Sequence, residues 1–150
     1  MISTRVQAEP FDTAAEIAAL SAGRTDIGAV VTFTGFVRDF SHGASVEATT
    51  LDHYPATTAK ALAAIAAEAA QRWPLQGGTV IHRHGRLLPG DEIVLVAVAS
   101  EHRAAAFEAA AFLMDWLKTR APFWKREEAG GQARWVEAQA GDDAAAARWD

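Results

Sequence analysis

The middle of the chain constrains the fold most, because two segments typical of β-strands flank a short turn-forming sequence. Thr79–Gly85 and Glu92–Ala99 are rich in β-branched side chains, and Leu88-Pro89-Gly90-Asp91 lies between them. Adjacent proline and glycine residues favour a tight turn. The pattern therefore predicts two antiparallel strands joined by a tight connection.

Four further strands are predicted on either side of this pair. Gly28–Val37 and Val46–Tyr54 carry the β-branched and aromatic residues that strands favour. Phe123–Glu127 and Arg134–Glu137 flank the glycine-containing segment Ala129–Gln132. Glycine at such a turn is typical of a hairpin, so a second antiparallel pair is expected near the end of the chain.

Three helices are expected between the strands. They are predicted from Thr13 to near Gly23, from a cap at Thr57 or Thr58 to about Trp73, and from about His102 to Arg120. Thr13 and Glu16 have the spacing of a capping box, and Ser100 precedes the third helix where a cap would stand. In that third helix apolar side chains recur every three or four residues, which predicts one buried face.

The order of these elements indicates the fold class. Strand pairs interrupted by single helices, without regular β-α-β alternation, favour an α+β fold around a mainly antiparallel sheet. A chain of 150 residues, half of them apolar, is long enough for one core, so we expect a single domain over residues 1–150. Two alternatives stay open for Ala140–Asp150, a loose tail or a helix that orders on a partner.

Composition excludes several kinds of function. A net charge of −5 opposes general nucleic-acid binding, and the lack of cysteine excludes disulfides, thiolate metal sites and a catalytic thiol on this chain. The sequence contains neither a glycine-rich phosphate loop nor a serine in a nucleophile elbow. Without a signal-like N-terminus or an apolar run of about 20 residues, we expect a cytoplasmic protein that does not enter membranes.

Two lysines are the first candidates for chemistry. Lys118 stands near the end of the third predicted helix, and Lys125 follows Phe123-Trp124 at the start of a strand. Neighbouring aromatic rings can desolvate an amine, lower its pKa and form a wall for a planar ligand. The alternative is that lysines at a helix C-terminus simply stay in solvent.

Three other positions suggest an anion site. His102-Arg103 follows a strand at the opening of a helix, where free N–H groups attract anions, although an exposed first-turn pair is an equal alternative. Arg38 directly follows the predicted strand Gly28–Val37, and it either holds a phosphate or points into water. Such loop positions favour function modestly.

The histidines do not predict a metal site. His82 and His84 lie two apart in a strand and share a face, but no third ligand is evident, and surface histidines are commoner. His53 and Tyr54 end a strand, and two roles stay open for them: they line a pocket or they close the sheet. We expect no metal and no cofactor.

Together the motifs resemble the large, catalytic subunit of molybdopterin synthase. The similarity runs from about Gly28 to Glu137, and its most specific part is Pro122-Phe123-Trp124-Lys125 with the upstream His102-Arg103 and Lys118. The other segments that carry the similarity are Phe33–Arg38, Leu51–Tyr54, Ile81–Gly85, Pro89–Asp91, Phe107–Ala109, Met114–Leu117, Arg126–Glu127 and Arg134–Glu137.

The resemblance implies an α/β-hammerhead-like fold and a sulfurtransferase. Such a subunit converts cyclic pyranopterin monophosphate to molybdopterin, and each of the two dithiolene sulfurs arrives as a thiocarboxylate on the C-terminus of a small ubiquitin-like subunit. The resemblance assigns Lys118 and Lys125 as the essential lysines. It assigns as substrate-contacting positions Phe36, Val37, Arg38, His102, Arg103, Arg126 and Glu127.

Helix geometry adds an expectation about assembly. Arg103 and Lys118 are 15 positions apart on one predicted helix, which places them roughly 22 Å apart along its axis. One small ligand does not easily touch both. We therefore expect His102-Arg103, and with less support Arg38, to complete the pocket of a neighbouring subunit in a homodimer, in agreement with the heterotetramer of two large and two small subunits that the resemblance implies.

Overall fold

The computed structural model describes residues 1–41, 43–136 and 140–150. Its elements in chain order are β1 (Ile2–Gln7), α1 (Thr13–Ser21), β2 (Ala29–Phe36), β3 (Phe40–Ser41), β4 (Ala44–Ser45), β5 (Ala48–His53), α2 (Pro55–Arg72), β6 (Leu75–Arg83), β7 (Gly85–Leu87), β8 (Glu92–Ser100), α3 (Arg103–Thr119), β9 (Phe123–Ala129), β10 (Gln132–Val136) and α4 (Ala140–Ala147). The predicted α+β class with mainly antiparallel strands is confirmed. None of the described helices is long and apolar enough to cross a bilayer.

The first sheet has the strand order β1-β6-β8-β2 and supports the main core. Strand β8 pairs antiparallel with both β6 and β2, so it is an inner strand, and all its residues from Val94 to Ser100 are buried. Helices α2 and α3 lie against this sheet, and their buried residues join those of β8 in one cluster that includes Leu62, Ile65, Val96, Val98, Leu113 and Leu117. The sheet thus fixes the axis and rotation of α3.

The second sheet has the order β10-β9-β5-β7, and all its pairs are antiparallel. The predicted hairpin of β9 and β10 is confirmed, with Gly130 and Gly131 at positive φ in its turn. Glu137, with which we predicted the last strand to end, lies outside the described residues.

The predicted pairing of β6 with β8 is confirmed, but their connection is not tight. Between them the chain forms β7, which pairs with β5 in the second sheet before the turn at residues 88–91 returns it to β8. In that turn the Asp91 amide donates to the Leu88 carbonyl at 2.9 Å, and the Leu88 amide donates to the Asp91 carboxylate at 2.8 Å. The turn at residues 88–91 was therefore predicted correctly, but the strand that enters it is β7 and not β6.

The helix starts differ from the predicted ones. Asp12, rather than Thr13, caps α1, since its carboxylate accepts from the Ala15 amide. Helix α2 begins at Pro55 without a side-chain cap, because proline suits the first helical turn. Ser100 remains in β8 and donates to the Pro74 carbonyl, which leaves His102 as the uncapped N-cap of α3.

Strands β1, β3, β4 and β7 and helix α4 were not predicted. Strand β1 pairs parallel with β6 and forms the edge of the first sheet. The segment after Ala140 forms α4 and packs on α3 without a partner chain, so neither alternative for this tail describes it fully. Trp149 holds it in place, because its indole ring packs at 5.5 Å from Trp73 and its Nε1 donates to Asp115 at 2.7 Å.

Candidate active site

A cavity of about 440 Å³ lies between the C-terminal end of α3 and one face of the second sheet. Its cationic lining side chains are Arg38, Lys118 and Lys125. The other residues that line it are Gly35, Phe36, Ser41, Thr49, Leu51, His82, Ile93, Val94, Met114, Leu117, Thr119, Ala121, Phe123, Val136 and Asp142. Both predicted lysines therefore face one space, although they come from different elements.

Lys118 reaches the cavity from the last turn of α3. Its neighbour Leu117 is buried in the core, so the packing of the helix determines the direction of the lysine. The side chain keeps solvent access through the open cavity, yet surrounding protein lowers its pKa, and the charges of Lys125 and Arg38 act in the same direction. The Asp142 carboxylate opposes this shift. The amine of Lys118 is consequently easier to deprotonate than that of an ordinary lysine.

Lys125 is positioned by the alternation of side chains along β9. Phe123, Lys125 and Glu127 share the cavity face of the strand, since successive side chains point to opposite faces. Glu127 is only 2% exposed, and its carboxylate lies 3.8 Å from Lys125 Nζ and 3.7 Å from an Arg134 guanidinium nitrogen. Glu127 thus lies behind the cavity as a buried carboxyl group near two basic side chains, and it does not line the cavity itself.

An aromatic wall closes one side of the cavity. The rings of Phe123 and His82 stack at a centroid distance of 4.0 Å with an interplanar angle of 19°. The His53 ring packs beside them, with its centroid 5.7 Å from that of Phe123 and 4.4 Å from that of His84. Of the two aromatic candidates, Phe123 provides the wall, whereas Trp124 lies on the other face of the sheet against Tyr54.

The expectation that His82 is a surface histidine is wrong. Its residue surface is only 8% exposed, because β6 is an inner strand covered on both faces. A histidine in a fully buried strand cannot be recognised by alternation, since apolar residues occupy both faces of such a strand. The described residues contain no cluster of three or more side chains suited to hold a metal ion.

The substrate-contacting candidates from the resemblance divide into three groups. Phe36 and Arg38 line the cavity of their own chain, which corrects the assignment of Arg38 to a neighbouring subunit. Val37 turns inward and packs with buried Leu51 and Leu87, so in this conformation its side chain does not line the cavity. Arg126 lies on the opposite face of β9 from Lys125, with its guanidinium 5.7 Å from the Trp135 ring.

His102 and Arg103 form the third group, at the far end of α3 from the cavity. The His102 side chain is 83% exposed, and neither residue lines the cavity with Lys118. The expected separation along α3 is therefore confirmed for one chain. Asp142, which sequence reasoning did not single out, enters the cavity from α4 because the C-terminal helix folds back over α3.

The site belongs to an α+β protein whose cavity combines two lysines, an arginine and an aromatic wall, which is chemistry suited to a small, flat anion. The family model described as MoaE protein matches residues 6–120. A curated molybdopterin synthase catalytic subunit from Mesorhizobium japonicum is 58% identical over 149 residues, which cover 98% of this chain and 92% of that protein. The chain belongs to the family of molybdopterin synthase catalytic subunits, which are enzymes.

Solved structures agree with this assignment. The molybdopterin biosynthesis MoaE protein from Burkholderia ambifaria has a TM-score of 0.83 and 51% identity, and the match covers 99% of this chain and 98% of that one. A protein–protein complex of subunits 1 and 2 of the molybdopterin-converting factor from Helicobacter pylori matches with a TM-score of 0.69 at 19% identity, covering 92% of this chain and 91% of that one. The second likeness shows the fold alone.

Proposed function

We propose that this chain inserts two sulfurs into cyclic pyranopterin monophosphate to form the dithiolene of molybdopterin. The observation that carries the proposal is the convergence of Lys118 and Lys125 on one cavity from two separate elements. Arg38 adds a donor suited to phosphate, and Phe123 adds a flat apolar surface. A volume of about 440 Å³ also lies within the range that small-molecule sites occupy.

The two lysines have different surroundings, which supports different roles. The lowered pKa of Lys118 suits a group that donates or accepts a proton near neutral pH, so we assign it to proton transfer beside the reacting carbons. Lys125 Nζ lies 3.8 Å from the Glu127 carboxylate, and its side chain lines the cavity. We assign Lys125 to the terminal carboxyl group of the sulfur-carrying partner or to the negative charge that develops during transfer.

The sulfur must reach this cavity on another molecule, because the chain contains no cysteine. We propose that the carrier is a small ubiquitin-like subunit whose C-terminus bears a thiocarboxylate. A protein of the same fold from Helicobacter pylori has been solved in a complex of two subunits of the molybdopterin-converting factor, which supports a partner of this kind. A flexible C-terminal tail is narrow enough to enter an open cavity beside Lys125.

We further propose that the functional unit is a homodimer within a heterotetramer. His102 and Arg103 stand at the opening of α3, roughly 22 Å along its axis from Lys118. They can serve a substrate only if a second cavity approaches that end of the helix. A two-fold dimer brings the same pair of residues to both cavities, so each pocket combines groups from two chains.

The test of the proposed function is reconstitution. The purified chain is incubated with cyclic pyranopterin monophosphate and a thiocarboxylated small subunit, and the dithiolene product is detected after conversion to a fluorescent derivative. The matched control uses the same small subunit with an ordinary terminal carboxylate, which carries no sulfur and should give no product. Absence of product from well-folded protein and active thiocarboxylate would overturn the proposal.

A further inference from the structure

His82 is a buried polar group in the cavity that the roles assigned above do not use. It comes from the inner strand β6, lines the cavity with Lys118 and stacks on Phe123 at 4.0 Å. Stacking and burial leave the ring few orientations. A polar ring fixed in this way on the cavity lining has two nitrogens, and each can serve a hydrogen-bond partner.

The backbone determines which ring nitrogen carries the proton. His82 Nδ1 lies 2.8 Å from the Arg83 carbonyl oxygen, and a carbonyl oxygen only accepts, so Nδ1 is the donor. Burial lowers the pKa of His82 to about 4, and the Lys118 charge acts in the same direction, so the ring is neutral at pH 7. Nε2 is therefore an unprotonated acceptor, and the side-chain hydrogen bonds of the described residues include one at His82 Nδ1 and none at Nε2.

The remaining side chains give this acceptor a complement. Arg38, Lys118 and Lys125 are all cations that donate, and they select the negatively charged part of a ligand. His82 is the neutral acceptor on the aromatic wall beside Lys118. Both side chains line the same cavity, and a hydroxyl group complements both chemically, because its oxygen can accept from the amine while its O–H can donate to Nε2.

We propose that His82 is a further substrate-binding residue, whose Nε2 accepts a hydrogen bond from a hydroxyl group of the substrate that also contacts Lys118. The proposal rests on the proposed function and names the chemical class it adds, a hydroxyl-bearing ring compound with an anionic group. The bond orients the hydroxyl-bearing carbon toward Lys118, so His82 contributes to recognition of the substrate and not of the sulfur carrier.

Two substitutions separate the two nitrogens. His82→Asn keeps a donor near the Nδ1 position for the Arg83 carbonyl but has no atom at the Nε2 position, whereas His82→Gln can place an amide oxygen there. We expect His82→Asn to raise KM for cyclic pyranopterin monophosphate about five- to tenfold, the effect of one neutral hydrogen bond. His82→Gln should stay within about twofold of wild type, and KM for the thiocarboxylated subunit should not change in either variant. Equal KM values for the pterin in both variants and wild type would overturn the proposal.

A second measurement does not depend on a variant that folds. The ¹⁵N resonances of His82 in the wild-type protein should show the Nδ1–H tautomer, and the Nε2 resonance should shift when cyclic pyranopterin monophosphate is added. His84, which packs on His53 outside the cavity lining, is the matched control, and its resonances should move little. An Nε2–H tautomer, or an Nε2 signal unchanged by saturating pterin, would rule out the proposed bond.

The two proposals fail in different ways. If the wild-type chain binds the pterin with the Nε2 shift but forms no dithiolene, the sulfur-insertion function fails and the role of His82 in binding stands. If the wild-type chain forms product while the Nε2 resonance stays unchanged, only the inference about His82 fails.

Discussion

The two ends of α3 carry residues that the family resemblance assigns to one site, yet the structure gives them opposite surroundings. At the C-terminal end, Lys118 faces a cavity together with Lys125 and Arg38, and protein around its amine lowers the pKa. At the N-terminal end, His102 and Arg103 are exposed and line no cavity with Lys118. One end of the helix belongs to a cavity within the chain, and the other end lies in solvent.

Both ends also depart from what local stability favours. A lysine amine partly enclosed by protein and facing two other cations is less stable in its charged form than in water. His102 takes the extended N-cap conformation, but its side chain makes no capping hydrogen bond. Departures of this kind are expected where function determines the residue. If Lys118 at one end serves the chemistry and Arg103 at the other serves substrate binding, variants at the two ends should differ in their effects.

The largest effect should come from Lys118→Ala. Loss of a group that transfers a proton typically lowers a rate about 10²- to 10⁴-fold, so single-turnover sulfur transfer should fall by that amount while partner binding is retained. Arg103→Ala should instead act mainly on KM for the pterin. Lys60→Ala, on the exposed surface of α2, is the matched control and should leave both unchanged. If Lys118→Ala transfers sulfur normally but no longer binds the small subunit, the roles of Lys118 and Lys125 must be exchanged.

Mixing the Arg103→Ala and Lys118→Ala variants, assayed at a pterin concentration far below KM where both are impaired, should break or support the idea of a shared pocket. In a dimer of one Arg103→Ala chain and one Lys118→Ala chain, one pocket combines the intact Lys118 with the intact Arg103 of the other chain. Random exchange makes about half of the dimers mixed, with one good pocket of two, so activity should recover to about a quarter of wild type. If both residues served the same chain's pocket, every pocket would carry a lesion and activity would not recover.

At the C-terminal end of α3, the sequence predicted the reactive side chains better than the tertiary structure around them. The glycine turn at residues 130–131, the β6–β8 pairing and the end of α3 near Arg120 follow from short-range signals, and these elements bring Lys118 and Lys125 together. Strand β1 was missed because parallel pairing with β6 depends on a partner some 75 residues away, which local composition does not report.

The remaining errors in the site share one cause, since burial is a property of tertiary structure. His82 resembles a surface histidine in sequence and becomes buried only because β6 is an inner strand. Asp142 enters the cavity only because Trp149 anchors α4 on the core, and the polar, alanine-rich tail gives no sign of this. Arg38 belongs to its own chain's cavity because β2 ends beside α3, which spacing along the sequence cannot show.

A stability measurement sharpens the contrast at the C-terminal end. The pKa of Lys118 is lowered in the folded protein. Between the lowered pKa and the ordinary value of about 10.4, the unfolded chain therefore binds more protons than the folded one. The free energy of unfolding of the wild-type protein should consequently rise with pH in this window. Lys118→Met removes the charge, so it should raise the free energy of unfolding at pH 7, and the gain should shrink as pH approaches 10. Urea titrations at several pH values measure this, with exposed Lys60→Met as control. A destabilised Lys118→Met protein at every pH would contradict the account of the lowered pKa.

The smallest expected effect is at the opposite end of the helix. His102 has the extended backbone of an N-cap, with φ −124° and ψ 144°, so a serine hydroxyl at this position can accept from a free amide of the first turn. His102→Ser should therefore stabilise the protein by about 0.5–1 kcal/mol relative to His102→Ala, measured by denaturant unfolding. Both variants should raise KM for the pterin to a similar extent, because both lose the imidazole. A higher KM in both variants would show that the imidazole serves substrate binding although it does not line the cavity with Lys118, whereas unchanged KM values would leave Arg103 as the active group at this end of α3.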